Sequence, residues 1–210
     1  SVVKRHMDLA FAQGDRVADR YVIIERIGKG GMGVVYRALD TLIDEKVALK
    51  FMKPKMLRTE SGKRLFIQEA QIARRLRHEN IIAVHDVNWT SEGILYLSME
   101  LCEGRSLREF LQEKRAARQM VDVRLAVTLI SQTLAALDNA HKLVVHRDIK
   151  PENIMLVASE RVKVLDFGLA KAVQVEMLDG AGEPKQEPQT KRVIGTLAYA
   201  APEQIRKRQV

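Results

Sequence analysis

Short apolar runs bounded by turn residues dominate the first half of the chain. Five such runs are YVIIERIG (residues 21–28), VVYRALD (34–40), EKVALKFM (45–52), IIAVHDV (81–87) and GILYLSMEL (93–101). Their length, their β-branched and aromatic residues and the flanking glycine or polar residues are typical of strands. Residues 1–20 lack a strong pattern, and we expect them to form a tail or linker.

Helical spacing of apolar residues appears between the third and fourth runs and again after residue 102. In KRLFIQEAQIARRL (residues 63–76), one face carries Leu65, Glu69, Ile72, Ala73 and Leu76. Ser106 is a suitable N-cap for a helix over residues 106–114. A longer helix is predicted from about residue 121, and its packing face is predicted to contain Val127, Ile130, Leu134, Leu137 and His141. The whole pattern indicates an α+β protein.

The first two predicted strands enclose a glycine-rich turn of the form G-x-G-x-x-G-x-V, at Gly28, Gly30, Gly33 and Val35. Glycine permits close approach of backbone N–H groups to phosphate oxygens. The same spacing occurs in dinucleotide-binding folds, where a helix follows at once. Here a strand follows, which favours a phosphate-binding hairpin, although an ordinary glycine-rich hairpin stays open at this point.

One charged pair is predicted inside the first half of the chain. Glu69 lies on the mostly apolar face of the first helix, where burial without a partner would be costly. Lys50, near the end of the third strand, is the natural partner. The alternative is that Glu69 lies at the edge of that face in water and that Lys50 is a solvated surface residue.

Two segments of the second half have the residues that phosphoryl transfer needs. HRDIKPEN (residues 146–153) places Asp148 five residues before Asn153, and DFG follows at residues 166–168. Such chemistry uses a carboxylate to orient a hydroxyl nucleophile and oxygen ligands to hold magnesium on the phosphates. Together with VALK (47–50) and APE (201–203), these motifs stand in the order typical of protein kinases. Residues 21–210 therefore resemble a protein kinase catalytic domain, most closely the bacterial eukaryotic-like serine/threonine kinases.

The resemblance implies a two-lobed kinase fold. Residues 21–102 would form a small antiparallel-sheet lobe with one helix, ending in the hinge, and residues 103–210 a mainly helical lobe. A family member would continue after APE with further helices, so we expect the second lobe to be partial and to expose apolar surface.

The resemblance also implies a role for each matching residue. Asp148 would accept the substrate proton, Lys150 would steady the transferring phosphate, and Lys50, paired with Glu69, would contact the α- and β-phosphates. Asn153 and Asp166 would bind Mg²⁺, with Mn²⁺ as an alternative. The residues implied in ATP binding are Gly28, Lys29, Gly30, Gly31, Gly33, Val35, Ala48, Lys50, Met99 (the gatekeeper), Glu100, Cys102 and Met155. His146 resembles a structural residue rather than a base.

The activation segment carries two threonines, Thr190 and Thr196. Thr196 matches the family position that bridges the catalytic Asp and Lys, which leaves Thr190 as the predicted phosphorylation site. A phosphate there would pair with Arg147, and Lys171 or Arg74 are further candidates. The alternative is that Thr190 is an ordinary loop residue.

The charge composition limits the classes of partner that the chain is expected to bind. The chain has 210 residues and a formal net charge of +8, from 35 Lys and Arg against 27 Asp and Glu. These charges are dispersed, without the aromatic interleaving that stacks bases, so nucleic-acid binding is not expected. No apolar run reaches the roughly 18 residues of a membrane helix, so no membrane contact is expected from this segment. A cytoplasmic kinase domain is expected, within a parent protein that can carry a membrane anchor.

The function predicted from the sequence is transfer of the ATP γ-phosphoryl group to protein serine and threonine hydroxyls, with Mg²⁺. Protein substrates, ATP and a second copy for trans-autophosphorylation are the implied partners. One alternative is a nucleotide-binding pseudokinase or scaffold, although Lys50, Asp148 and Asp166 are all present. Another is a small-molecule phosphotransferase of related fold, against which Lys150 and the GT…APE segment argue.

Overall fold

The chain divides by its internal contacts into two compact units. The computed structural model describes residues 9–31, 33–54, 60–158, 160–167 and 198–200, except for the side chains of residues 61, 62 and 65. The first unit comprises Ser1–Arg77 and Ile82–Glu103, and the second comprises His78–Ile81 and Gly104–Val210.

The described residues of the first unit contain a six-stranded antiparallel sheet and a helix. Its strands, in chain order, are β1 (Arg16–Val17), β2 (Tyr21–Lys29), β3 (Gly33–Asp40), β4 (Glu45–Met52), β5 (Val84–Trp89) and β6 (Leu95–Glu100). The order across the sheet is β1-β2-β3-β4-β6-β5. Helix α1 (Glu60–Arg75) packs against β5. The five predicted strands and the predicted helix are therefore present, and β1 is an addition.

The two faces of this sheet differ in chemistry because side chains alternate along each strand. One face carries Tyr36, Leu49, Phe51 and Tyr96, which are all buried. The Tyr36 and Phe51 rings meet edge-on at 5.9 Å, and the Phe51 and Tyr96 rings are also 5.9 Å apart. This aromatic cluster is the hydrophobic core of the first unit.

Residues 9–20 pack against that core, which differs from the expected tail over residues 1–20. Leu9 is only 2% exposed, and the Phe11 ring lies 4.5 Å from that of Phe51. The Tyr36 hydroxyl donates to the Leu9 carbonyl at 2.8 Å and accepts from the Phe11 N–H at 3.1 Å. No periodic pattern marks these residues, because Leu9 and Phe11 are isolated apolar residues that fill gaps over the sheet.

The described residues of the second unit form two α-helices, a 3-10 helix and a three-stranded antiparallel sheet. These elements are β7 (Gly104–Ser106), α2 (Leu107–Ala116), α3 (Val123–His141), a 3-10 helix (Pro151–Asn153), β8 (Ile154–Val157) and β9 (Arg161–Val164). Ser106 is the N-cap of α2, as predicted. Its hydroxyl accepts from the Glu109 N–H, and its own N–H donates to the Glu109 carboxylate, forming a capping box.

The predicted packing face of α3 is wrong. Val127, Ile130 and Leu134 are each 59% exposed, and His141 is exposed as well. The buried residues of α3 are Leu129, Ala136 and Ala140, and the helix packs on β9. Helical spacing identifies an apolar face, but the small alanines allow a different face to approach the sheet. The described part of the second unit therefore exposes a row of apolar side chains on α3.

Within the second unit, Asn80 connects residues 78–81 to α3 and β9. Its Nδ2 donates to Gln132 Oε1 on α3 and to the Val162 carbonyl on β9, both at 2.9 Å. The Val164 N–H donates to the Asn80 carbonyl at 2.8 Å, and the Val162 N–H donates to Gln132 Oε1 at 2.8 Å. These bonds fix β9, whose C-terminal end leads to Asp166.

Candidate active site

The glycine-rich motif forms the turn between β2 and β3. A Cβ atom at Gly33 would lie 2.2 Å from the Phe51 carbonyl oxygen, so only glycine fits at this point of β3. The Gly30 N–H donates to the Gly33 carbonyl at 2.9 Å, and Lys53 Nζ donates to the Gly30 carbonyl at 2.5 Å. Lys29, Gly30 and Gly31 are exposed. Such a turn can present N–H groups to an anion.

Several predicted nucleotide-binding residues share the sheet face opposite the aromatic core. Val35 pairs with Lys50 in the β3–β4 register, and Gly28 pairs with Val35 between β2 and β3. Ala48 pairs with Met99 between β4 and β6. Because directly opposed residues of antiparallel strands point to the same side, the structure brings these five residues onto one surface.

The lysine of this surface lies in a largely desolvated position. Lys50 is 6% exposed on β4, and Glu69 is half-buried on α1. Phe66, Ala70 and Ala73 of α1 are buried, whereas Ile72 of the predicted face is only half-buried. The buried face of the helix is therefore rotated towards Phe66 and Ala70 relative to the predicted one, with which it shares Ala73. The predicted Lys50–Glu69 ion pair stays a prediction.

The predicted hinge residues lie at the end of β6 and directly after it. The Glu100 N–H donates to the Ala83 carbonyl at 2.9 Å, and the Glu100 carboxylate accepts from the Ala83 N–H at 3.2 Å. These two bonds fix the start of the hinge against the residue that precedes β5. Cys102 is half-buried, and so is Met155, which lies on β8 in the second unit.

The predicted catalytic residues of the second unit form one hydrogen-bonded group. Lys150 Nζ donates to Asp148 Oδ2 at 2.7 Å, and Asn153 Nδ2 donates to the same oxygen at 3.1 Å. Asn153 Nδ2 also donates to the Asp148 carbonyl at 2.9 Å, and the Asn153 N–H donates to the Lys150 carbonyl at 2.9 Å. The side chain of Asp148 is only 13% exposed. Its carboxylate is therefore held in one orientation by two independent donors.

His146 contacts this group through a hydrogen bond to the backbone of Asp148. It is buried, and desolvation lowers its pKa from the usual value of 6.5, although the hydrogen bond to Leu165 opposes this shift. Its Nδ1 accepts from the Asp148 N–H at 3.3 Å, and its Nε2 lies 2.8 Å from the Leu165 carbonyl. The neutral ring protonated at Nε2 satisfies both contacts. Its ring also meets that of Phe167 at 4.6 Å, as expected for a structural residue.

Two of the predicted functional residues have left-handed backbone conformations. Arg147 has φ 66° and Asp166 has φ 58°. Such conformations cost a non-glycine residue free energy and are frequent at functional sites. The Leu165 N–H donates to the Asn153 carbonyl at 2.9 Å, so Asp166 follows a residue that is bonded to Asn153.

The predicted metal ligands suit a hard divalent cation. Asn153 uses its amide nitrogen to bond Asp148, so its amide oxygen is the atom that could bind a metal ion. Asp166 would contribute a carboxylate. Oxygen donors of this kind, completed by phosphate oxygens, are what Mg²⁺ and Mn²⁺ prefer.

The regulatory predictions lie mostly outside the described residues. Thr190, Thr196 and Lys171 belong to the undescribed stretch 168–197, and the APE motif follows in the undescribed stretch 201–210. Arg147 is exposed. Arg74, the alternative phosphate partner, forms an ion pair with Asp86, with Nη1 and Oδ1 3.5 Å apart.

Three residues at these surfaces were missed by the sequence reasoning. Lys53 bonds the glycine turn, and Asn80 with Gln132 fixes β9. The one signal available was polarity: Gln132 is an amide inside an apolar helix, and Asn80 directly precedes an apolar strand. Nothing in the sequence indicated that the two amides meet across 52 positions.

The fold and the geometry define a protein kinase domain. Residues 21–210 match the protein kinase domain family, so the chain belongs to that family. The solved kinase domain of Mycobacterium tuberculosis PknI is similar in structure, with a TM-score of 0.66 at 28% identity over 83% of this chain and 69% of that one.

Curated relatives are bacterial serine/threonine kinases. The chain is 37% identical to the probable serine/threonine-protein kinase PknB of Corynebacterium glutamicum, over 90% of this chain and 28% of that protein. It is 34% identical to the serine/threonine-protein kinase PrkC of Bacillus subtilis, over 92% of this chain and 28% of that protein. It is 37% identical to the serine/threonine-protein kinase pkn3 of Myxococcus xanthus, over 94% and 35%. The chain thus spans about a third or less of the length of these relatives. In the described part of the chain, no helix is long and apolar enough to cross a membrane.

Proposed function

We propose that this protein is a serine/threonine kinase that transfers the γ-phosphoryl group of ATP to hydroxyl groups of proteins. The observation that carries the proposal is the arrangement at Asp148. Lys150 and Asn153 both donate to its Oδ2, whereas Oδ1 accepts no hydrogen bond from any described residue. One carboxylate oxygen is thus fixed, and the other can accept a proton from a substrate hydroxyl.

The proposed reaction requires little covalent chemistry from the protein. The substrate oxygen bonds to the γ-phosphorus as the bond from that phosphorus to the bridging oxygen breaks, which releases ADP. The hydroxyl proton passes to Asp148. Lys150, whose ammonium already lies 2.7 Å from Asp148 Oδ2, would offset negative charge on the transferring group. Positioning and charge stabilisation then account for most of the rate.

Nucleotide binding is proposed for the surface formed by the glycine turn and by Val35, Ala48, Lys50 and Met99. The apolar residues would contact the adenine, and the buried ammonium of Lys50 would meet phosphate oxygens. Backbone groups of Glu100 and Cys102 would bond the adenine edge, and Glu69 would orient Lys50.

Magnesium is the proposed metal, and Mn²⁺ has the same preference for oxygen ligands. Asn153 would contribute its amide oxygen and Asp166 its carboxylate. A bound Mg²⁺ would neutralise charge on the β- and γ-phosphates. The left-handed backbone of Asp166 supports this role, because such conformations are retained where they serve a site.

Regulation and partners follow from the same proposal. Thr190 would be phosphorylated, in trans by a second copy of the protein, and its phosphate would bond Arg147. Protein substrates would supply the acceptor serine or threonine. We place the reaction in the cytoplasm.

The test is phosphoryl transfer from γ-labelled ATP, with Mg²⁺, to a mixture of serine- and threonine-containing peptides and, separately, to an aminoglycoside. Wild-type protein should label peptides and itself, and Asp148→Asn should reduce both by about 10³-fold. Asp138→Asn, at an exposed position of α3, is the matched control and should keep full activity.

Three results would contradict the proposal. Undiminished transfer by Asp148→Asn would remove Asp148 from the mechanism. Labelling of the aminoglycoside in preference to peptides would identify a small-molecule phosphotransferase. Binding of ATP without any transfer by the naturally expressed protein would identify a scaffold.

A further inference from the structure

Lys53 lies directly after β4 and reaches across to the glycine turn, which we define as residues 28–31 and 33. Its Nζ donates to the carbonyl oxygen of Gly30 at 2.5 Å. A hydrogen bond from an ammonium is charge-assisted and therefore stronger than one between neutral groups. None of the sequence motifs includes this lysine.

The strand register explains why Lys53 can make this bond. Gly33 pairs with Met52, and Phe51 approaches Gly33 so closely that a Cβ there would lie 2.2 Å from the Phe51 carbonyl oxygen. The residue after Met52 therefore starts beside the end of the turn. The flexible lysine side chain spans the remaining gap to Gly30.

Among the described residues, few contacts other than this bond fix the tip of the glycine turn. Gly30 and Gly31 are exposed, and a Cβ at either would meet nothing within 4 Å. Glycines without packing neighbours sample many conformations. A backbone bond from Gly30 to Gly33 at 2.9 Å closes the turn, and the bond from Lys53 ties its tip to β4.

The bond also determines the orientation of one peptide group. The carbonyl of Gly30 and the N–H of Gly31 belong to the same peptide unit, and in a trans peptide these two groups point in opposite directions. Holding the carbonyl on Lys53 therefore turns the Gly31 N–H away from Lys53. It also engages the partially negative carbonyl oxygen, which would otherwise repel a phosphate bound at the turn.

We propose that Lys53 is a positioning residue that preorganises the glycine turn for the phosphates of ATP. The inference rests on the proposed function, because it assumes that the turn binds ATP. Lys53 acts through the Gly30 carbonyl, so its contribution is present for nucleotides with phosphates and absent for the bare nucleoside.

The experiment compares the dissociation constants of the wild-type protein and three variants for ATP and for adenosine. Lys53→Met keeps the side-chain length and removes the donor, Lys53→Arg keeps a donor, and Lys46→Met removes an exposed lysine at the start of the same strand. Lys53→Met should weaken ATP binding about fivefold and leave adenosine binding unchanged. Lys53→Arg should restore most of the ATP affinity, and Lys46→Met should behave as wild type.

Amide hydrogen exchange without nucleotide is the second measurement. Lys53→Met should exchange faster at Gly30 and Gly31 than wild type, which separates preorganisation of the turn from a direct contact between Lys53 and phosphate. Unchanged exchange, unchanged ATP affinity, or an equal loss for ATP and adenosine would each overturn the role of Lys53. Failure of the wild-type protein to bind ATP would instead overturn the proposed function, and the role of Lys53 with it.

Discussion

The side-chain amide of Asn153 is bonded to Asp148 twice, through Nδ2 to the carbonyl oxygen at 2.9 Å and to Oδ2 at 3.1 Å. The proposed metal ligand and the proposed base are therefore one rigid unit. A change at either residue should disturb the other, because each orients its partner.

This coupling predicts the behaviour of Asn153→Ala. The variant loses the amide oxygen and both bonds to Asp148, so the Mg²⁺ concentration for half-maximal activity should rise roughly tenfold and kcat should fall about 100-fold. Titration of peptide phosphorylation with Mg²⁺ measures both. Asn139→Ala on α3 is the control. A normal Mg²⁺ requirement in Asn153→Ala would show that Asn153 does not hold the ion.

The buried His146 predicts a loss of stability on acidification. Its folded-state pKa lies below 6.5, so the unfolded state binds more protons as the pH falls through that value. The contribution is complete above about pH 6.5 and is lost below it, by up to roughly 1.4 kcal/mol for each pKa unit of the shift. Urea unfolding between pH 5 and 7.5 measures it.

His146→Phe should remove this part of the pH dependence, even though the variant is less stable at pH 7.5. His141→Gln should keep it, since His141 is exposed. An identical slope in wild type and His146→Phe would mean that other groups cause the acid sensitivity.

An ion pair between Arg20 and Asp40 links the residue before β2 to the end of β3. Arg20 donates through Nε and Nη2 to the two carboxylate oxygens of Asp40 at 2.8 and 2.6 Å, and this holds the pKa of Asp40 below its usual value. The side chain of Asp40 is 2% exposed, whereas that of Arg20 is 36% exposed. Arg20→Met should therefore reduce the free energy of unfolding by about 2 kcal/mol, less than for a fully buried pair.

Chemical denaturation at pH 7 tests this, with Arg16→Met at an exposed position as the control. Because the Asp40 pKa is lowered, the stabilisation exists above the carboxyl's unfolded-state pKa of about 4 and disappears as the pH falls below it. Equal stability of Arg20→Met and wild type at pH 7 would show that the pair contributes nothing.

Residues 9–20 are predicted to stabilise the first unit. Leu9→Ala should lower its stability by about 3 kcal/mol, because it removes a fully buried side chain and leaves a cavity beside Tyr36. Leu42→Ala, at a position 73% exposed, should change stability by less than about 0.5 kcal/mol. Thermal unfolding of both variants measures these changes in stability. Equal stability of Leu9→Ala and wild type would show that residues 9–20 do not stabilise the first unit.

The Asn80–Gln132 pair predicts coupling between two positions 52 residues apart. Asn80→Ala removes the hydrogen bonds to the Val162 carbonyl and to Gln132. It should therefore reduce the free energy of unfolding by about 2 kcal/mol. A double-mutant cycle with Gln132→Ala should give a coupling energy of about 1 kcal/mol. Strict additivity of the two single changes would mean that the amides stabilise the unit independently.

The strands and the helices were largely predictable because their causes are local. Alternation and turn residues predicted β4 with its exact bounds, and Ser106 predicted the start of α2 because a capping box needs only four neighbouring residues. The glycine motif and HRDIKPEN were recognisable for the same reason, since each packs its chemistry into less than ten residues.

The misses have a common cause in contacts between distant residues. The exposed row on α3, with Val127 and Ile130 outside the core, follows from which face the alanines of that helix allow to approach β9. Leu9 and Phe11 carry no periodic signal, yet they cover an aromatic cluster formed by three strands.

The sequence by itself determined the class of protein and the chemical groups at the site, because these depend on residue types at short, fixed spacings. Only the tertiary structure decided how those groups are oriented. It placed Lys150 and Asn153 on one oxygen of Asp148, and it placed Lys53 on the carbonyl of Gly30. Hydrogen bonds of this kind depend on distances of a few tenths of an ångström between segments, and such distances are fixed by packing and strand register rather than by spacing along the chain.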